Sequence, residues 1–124
     1  MTQERFTVQD RPGESRYVLL DQGEDGTQEK VIGEESYVDV HDDGASQRVL
    51  FHTGVDEEYG GQGLASVLVR AAVDDVIASG FAVVPVCPYV AAWLPKHPEY
   101  AEHVVQPHRQ HLLAVNEHLR RTAR

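Results

Sequence analysis

Residues 55–66 read VDEEYGGQGLAS, and in this stretch the chain changes from a strand pattern to a helical one. Gly60, Gly61 and Gly63 allow positive φ angles and, having no Cβ, let the backbone approach a ligand closely. The N–H groups of this loop and of the following helix can then converge on an anion such as a pyrophosphate. A plain strand-to-helix turn fits the same spacing equally well. The stretch lacks the lysine of a P-loop and has Ser66 where a Rossmann loop needs its third glycine.

The composition indicates one acidic domain. The 124 residues suffice for a single core, and the net charge is −9, with −10 carried by residues 1–58. This charge argues against nucleic acid as the main partner and favours a cationic substrate such as an amine, although solubility alone would explain it. No apolar stretch approaches the roughly 20 residues of a membrane span, so we expect no membrane contact. The N-terminus has no apolar leader, and the single cysteine, Cys87, fits a reducing cytosol, so the predicted location is cytoplasmic.

Before the glycines, the pattern predicts a β-meander whose strands, joined by short polar turns, should pair antiparallel. The predicted strands cover residues 6–8, 16–20, 30–40 and 48–55. Gly33 is expected to mark a bulge. In the second half of the third strand we expect Tyr37 and Asp39 on a polar face, with Val38 and Val40 on an apolar face.

After the glycines, apolar residues recur at three- and four-residue steps over 62–79, which predicts an amphipathic helix ending at Gly80. Residues 81–87 form an apolar run, typical of a strand buried on both faces. The strand–helix–strand unit makes the fourth and fifth strands parallel neighbours. Pro85 donates no ladder hydrogen bond, so we expect the fifth strand to part from its neighbour there and leave backbone groups for an amide-bearing ligand. A local bulge without a ligand is the alternative.

Prolines predict the helices that follow. Short helices are expected over 89–94 and 98–103, and a basic C-terminal helix is expected from Pro107 onward, free to pack, dimerise or fray. The fold class is therefore α/β (mixed α+β), a mostly antiparallel sheet with one parallel β–α–β unit and short C-terminal helices.

With these pieces placed, residues 48–66 and 83–100 resemble the small, single-domain branch of the GNAT (GCN5-related) N-acetyltransferases. The resemblance is carried by the Pro-x-Cys-x-Tyr-Val element at 85–90 and by Lys96, Pro98 and Tyr100. It implies a minimal GNAT-like domain over 1–105, followed by a C-terminal helical extension over 106–124. It also implies acetyl-coenzyme A as co-substrate and transfer of the acetyl group to an amine, either of a protein or peptide or of a small molecule.

The resemblance maps the pyrophosphate signature Gln/Arg-x-x-Gly-x-Gly/Ala onto residues 60–65. Gly63 and Ala65 match the signature, whereas Gly60 stands where the family has Gln or Arg. The pantetheine amides would pair with the strand ahead of the loop, and Lys96 is a candidate phosphate contact, although a solvated lysine fits it equally well. The residues implied around the coenzyme are Thr53, Gly54, Val55, Gly60, Gly61, Gln62, Gly63, Leu64, Ala65, Ser66, Tyr89 and Lys96.

Cys87 is the first catalytic candidate. It ends the apolar run directly before the helix at Pro88, and a helix N-terminus stabilises a thiolate. The resemblance places Cys87 near the acetyl thioester, where it could take the acetyl group or give a proton to the leaving thiolate. An inert core cysteine is the alternative.

His52 is the second catalytic candidate. By alternation it should share a face with Leu50 and Gly54, so we expect it not to be freely solvated. A histidine there could take the proton of an incoming ammonium group, although a structural core histidine explains the pattern equally well. His108, His111 and His118 have spacing that could hold a metal, but no carboxylate or cysteine completes the set, so we predict no metal site.

The sequence leaves a second function open. Gly60 at the signature position, and the absence of predicted helices among the first strands, would also suit a non-catalytic module that binds acyl-coenzyme A or another protein. For an enzyme, the missing helices predict an open groove for the acceptor. The oligomeric state is left open.

Overall fold

The computed structural model describes residues 5–42 and 44–123. Its strands are β1 (Phe6–Arg11), β2 (Arg16–Asp21), β3 (Lys30–Asp42), β4 (Ala45–Val55) and β5 (Ala82–Pro85). Its α-helices are α1 (Leu64–Ala78), α2 (Pro88–Trp93) and α3 (Arg109–Thr122). Short 3-10 segments cover Pro12–Glu14, Glu57–Tyr59, Leu94–Lys96 and Pro98–His103.

The strands form one sheet in the order β1-β2-β3-β4-β5. The first four strands pair antiparallel in sequence, and β5 lies parallel to β4 after the crossover through α1. The mixed α/β fold predicted from the sequence is therefore confirmed. The predicted helix also ends as expected, because Gly80, at φ 83°, follows the last turn and donates to the carbonyl of Ile77.

The sheet is covered on both faces. One face packs on α1 and α2 around Leu19, Leu50, Leu68 and Val83, while the other packs Val40, Val49 and Val84 against Val115 of α3. Because both faces of the sheet are covered, the prediction that one face of β3 is polar is wrong. Tyr37 is only 4% exposed and belongs to the α1 side, whereas Val40 is buried on the α3 side.

Two bulges interrupt the ladders. Leu19 pairs with Gly33 but Leu20 pairs with Val31, so Ile32 is the extra residue, and the bulge predicted at Gly33 is confirmed. A Cβ on Gly33 would lie 2.9 Å from the carbonyl oxygen of Gly54, which explains the glycine. In the second bulge Phe51 is the extra residue of β4, because Ser36 pairs with His52 but Tyr37 pairs with Leu50.

The third helix begins at Arg109, two residues later than predicted, because a histidine pair caps it. The backbone N–H of His108 donates to Nδ1 of His111 at 3.1 Å, and Nε2 of the buried His111 lies 2.7 Å from Oε1 of Gln47 on β4. This pair thus anchors α3 to the sheet.

In residues 5–42 and 44–123 no three potential metal ligands gather, and no helix there has both the length and the apolar character needed to cross a membrane. The division of the chain at residue 105 stays a prediction.

A buried arginine ties the sheet to α1. The guanidinium of Arg48, 8% exposed, donates to both carboxyl oxygens of Asp39 at 2.7 and 2.9 Å and to the Tyr17 hydroxyl at 2.8 Å. It also stacks 4.0 Å from the ring centre of Tyr37. The Tyr17 hydroxyl donates in turn to Asp75 of α1 at 2.8 Å. One side chain therefore links three strands and a helix.

We predict that Arg48→Met lowers the free energy of unfolding by about 2–3 kcal/mol, since it leaves Asp39 and Tyr17 without their partner. Urea denaturation measures the change. The matched control is Arg120→Met on α3, where solvent screens the exposed ion pair with Glu117 and the variant should change stability little. Equal stability of the two variants would contradict the role assigned to Arg48.

Candidate active site

The parallel strands separate where Pro85 was expected to part them. The β4–β5 ladder runs from Gln47 opposite Ala82 to Leu50 opposite Pro85. The next two N–H groups, of Val86 and Cys87, both donate to the carbonyl of Leu50, at 3.1 and 2.9 Å. Within the described residues, β4 therefore has no β5 partner beyond Leu50. On the side of β5, the backbone groups of residues 53–55 therefore remain available to pair with another amide-bearing group.

The glycine loop leads from this edge into α1. Gly61 and Gly63 have φ angles of 81° and 72°, and a Cβ at either would meet nothing within 4 Å. The left-handed backbone, and not crowding, therefore requires these glycines. Gly60 is extended, at φ −62°. Gly63 is the N-cap of α1, and no side chain from the described part of the chain caps it, so the first-turn N–H groups face the exposed loop. The dipole of α1 adds positive potential there.

A tryptophan holds α2 beside the first turn of α1. The indole N–H of Trp93 donates to Oγ of Ser66 at 2.8 Å, and the Trp93 ring stacks 3.7 Å from His97. Tyr89 is exposed on α2, and Lys96 is exposed in the turn that follows it. The Trp93–Ser66 hydrogen bond thus joins α2, which follows β5, to the first turn of α1, which follows β4.

Cys87 lies beside the opening that the separation of β4 and β5 leaves after Leu50. It is 4% exposed at the junction of β5 and α2, and its Sγ lies 3.1 Å from Oγ1 of Thr53 on β4. The structure thus brings together the predicted thiol and a residue of the predicted pantetheine strand. Sulfur and hydroxyl can each donate to the other in this contact.

His52 lies elsewhere, and the expectation that it shares the face of Leu50 is wrong. The extra residue Phe51 breaks the alternation of β4, so Leu50 faces α1 while the His52 side chain faces the opposite side and is 56% exposed. Its Nε2 lies 3.5 Å from Oε2 of Glu34. A catalytic role for His52 stays a prediction. His52 and Cys87 lie on opposite faces of the sheet.

Glu35 is a member of the site that the sequence interpretation missed. It is 0% exposed, lies opposite Thr53 in the β3–β4 ladder, and accepts a hydrogen bond on Oε1 from the Thr53 hydroxyl. Its Oε2 has no hydrogen-bond partner among the described residues. Burial raises the pKa of Glu35 to about 8, against the opposing hydrogen bonds from Thr53 and from the His52 backbone. Glu35 lies two residues before Tyr37 on β3, so both side chains share one face. The sequence interpretation expected Tyr37 on a polar face and therefore did not recognise Glu35 as buried.

Comparison with known proteins shows the family and the fold of the chain. The family described as GCN5-related N-acetyl-transferase matches residues 16–104. The solution structure of a GCN5-like protein from Staphylococcus aureus superimposes with a TM-score of 0.58 and 21% identity, covering 88% of this chain and 97% of that one. The structure of a ribosomal-protein-alanine N-acetyltransferase from Brucella melitensis biovar Abortus 2308 superimposes with a TM-score of 0.49 and 18% identity. The match covers 82% of this chain and 68% of that one. The curated proteins contain no significant match.

The raised pKa of Glu35 predicts a pH-dependent stability. The carboxyl ionises near its ordinary pKa of 4.5 when unfolded but keeps its proton to about 8 when folded. Between these values the unfolded state binds fewer protons, so stability falls as pH rises, by up to about 1.4 kcal/mol per pH unit. Glu35→Gln should remove this decline, as measured by urea denaturation at pH 5, 6 and 7.5.

The control for this prediction is Glu34→Gln, which changes the neighbouring half-buried carboxylate that pairs with Arg16 at 2.7 Å. It should retain the decline of the wild type. Stability curves of the wild type and Glu35→Gln that run parallel from pH 5 to 7.5 would refute the assigned environment of Glu35.

Proposed function

Because the chain belongs to the GCN5-related N-acetyltransferase family, we propose that it transfers the acetyl group of acetyl-coenzyme A to an amine through Cys87. One observation carries the proposal: β4 and β5 separate after Leu50, and Cys87 and Thr53 face each other beside the opening. The first turn of α1, which follows β4 through the glycine loop, carries no side-chain cap. An anionic head group and an extended amide arm need this combination of features.

The coenzyme supplies an acetyl thioester, and the chain supplies its binding and orientation. The N–H groups of residues 61–66 hold the pyrophosphate, and the free edge of residues 53–55 pairs with the amides of the arm. Gly60 offers no side chain, so one contact worth about 1 kcal/mol is missing. Lys96, which is exposed, would neutralise a phosphate, and the exposed Tyr89 would contact the arm.

In this proposal Cys87 takes the acetyl group on its sulfur and passes it to the amine. The thiol is 4% exposed and packs in the core on the side of α1, which limits its access to water. A free thiol in this role requires a reducing compartment, so we place the protein in the cytoplasm.

The acceptor is an amine that enters an uncovered groove. Between β1 and β2 the described chain has only the 3-10 turn Pro12–Glu14, so no α-helix covers the site from that side. Asp56, Glu57 and Glu58 are exposed next to the glycine loop and favour a positively charged acceptor. A protein or peptide amine, or a small amine, fits such a groove.

A non-catalytic acyl-coenzyme A module is the second candidate, and the glycine at position 60 favours it. The two candidates differ in turnover. As an enzyme, the protein should consume acetyl-coenzyme A with an amine panel and should gain one acetyl group at Cys87, as measured by intact-protein mass spectrometry.

For the enzyme we predict that Cys87→Ala lowers thioester consumption at least about 100-fold, since it removes the nucleophile. The affinity for coenzyme A in calorimetry should stay within about threefold, because the binding groups are backbone. Gly63→Ala serves as the converse variant. It strains a backbone with positive φ by about 1–2 kcal/mol and should weaken coenzyme binding.

Full turnover in Cys87→Ala would remove Cys87 from the reaction. Binding without consumption by the wild type, over the whole amine panel, would favour the non-catalytic module.

A further inference from the structure

A buried carboxyl oxygen without a hydrogen bond needs an explanation. Glu35 is 0% exposed, and its Oε2 has no partner in the described residues. Buried polar atoms are nearly always paired, and an unpaired one persists where function requires it. The other oxygen of the same carboxyl group is hydrogen-bonded to Thr53, which contacts Cys87.

Glu35 is connected to the thiol by one hydroxyl group. Thr53 donates to Oε1 of Glu35, and the same Thr53 oxygen lies 3.1 Å from Sγ of Cys87. Three side chains from β3, β4 and the β5–α2 junction therefore form a continuous hydrogen-bonded path, closed off from solvent at the Glu35 end.

We propose that Glu35, Thr53 and Cys87 form a proton relay, in which Glu35 is a positioning residue that takes the thiol proton of Cys87 through the Thr53 hydroxyl. The proposal rests on the proposed function, since it gives Cys87 the thiolate that attacks the acetyl carbonyl. It assigns roles to two residues beyond the thiol itself.

The relay balances without any added reactant. The S–H bond of Cys87 breaks and its proton binds Oγ1 of Thr53, while the Thr53 O–H proton passes to Oε1 of the Glu35 carboxylate. The sulfur keeps the electron pair and forms the bond to the acetyl carbon, and coenzyme A leaves as a thiolate. When the amine displaces Cys87, the thiolate regains its proton by the reverse path, and the amine proton reaches the released coenzyme A thiolate through solvent.

The other titratable groups around Glu35 are already engaged or point away. Tyr17, its neighbour on β2, donates to Asp75 of α1 and accepts from Arg48. Glu34 pairs with Arg16, and His52 lies beside Glu34 on the other face of the sheet. The path from Cys87 through Thr53 is thus the one that reaches Glu35 from the opening. Because burial raises the pKa of Glu35 to about 8, the carboxylate form that accepts the thiol proton becomes abundant only near pH 8 and above.

The test is the rate of alkylation of Cys87 by iodoacetamide from pH 6 to 10, followed by intact mass, because it needs no coenzyme. We expect Glu35→Gln and Thr53→Val to slow alkylation at pH 8 by about tenfold or more and to remove the limb of the pH profile near 8. Thr53→Ser keeps the hydroxyl and should retain most of the rate. The double variant should be no slower than either single one, since both break the same path.

Two controls make the outcome decisive. Glu34→Gln changes the adjacent carboxylate and should reproduce the wild-type profile, and thermal unfolding of each variant verifies folding. Superimposable profiles for wild type and Glu35→Gln, or equal rates for Thr53→Ser and Thr53→Val, overturn the relay. If alkylation shows the relay but acetyl-coenzyme A leaves no acetyl group on Cys87, the relay stands and the proposed function fails. If acetyl transfer through Cys87 occurs but the alkylation profiles are unchanged, the proposed function stands and the relay fails.

Discussion

The carbonyl of Leu50 accepts hydrogen bonds from both Val86 and Cys87, and the rest of the site depends on this shared acceptor. A regular parallel ladder would offer β5 a new carbonyl at every second residue of β4. Here the pairing stops at Leu50, the proline at position 85 cannot extend it, and Cys87 is turned into the start of α2. The chain thereby gives up ladder hydrogen bonds and gains an opening between two buried strands.

The bulge at Phe51 adds the second constraint. An extra residue directly after Leu50 reverses the faces of the next positions, so that Thr53 points to Glu35 and Cys87, and His52 points outward. The separation of the strands and the bulge occupy adjacent residues, and together they decide which side chains line the opening. The α1 N-terminus then supplies a positive electrostatic feature at the other end.

Most of the fold could be predicted because its signals are local. Glycines with positive φ at positions 61, 63 and 80 mark the ends of α1, and Pro85 marks the end of the β4–β5 pairing. Cys87 and Thr53 were each expected near the coenzyme, but their contact was not predicted. The position of His52 and the role of Glu35 could not be predicted, since both depend on the strand phase. The extra residue Phe51 changes that phase, and α3 makes the second face a buried one as well. Neither feature leaves a local signature in the sequence.

In the proposed function, the separated edge of β4 and the first turn of α1 bind one ligand together. Backbone amide chemical shifts, recorded during a titration with coenzyme A, test it most directly. We expect the shifts to change at residues 53–55 and 61–66, with α3 unaffected. Saturating coenzyme A that leaves both segments unchanged, or perturbs only α3, would contradict the account.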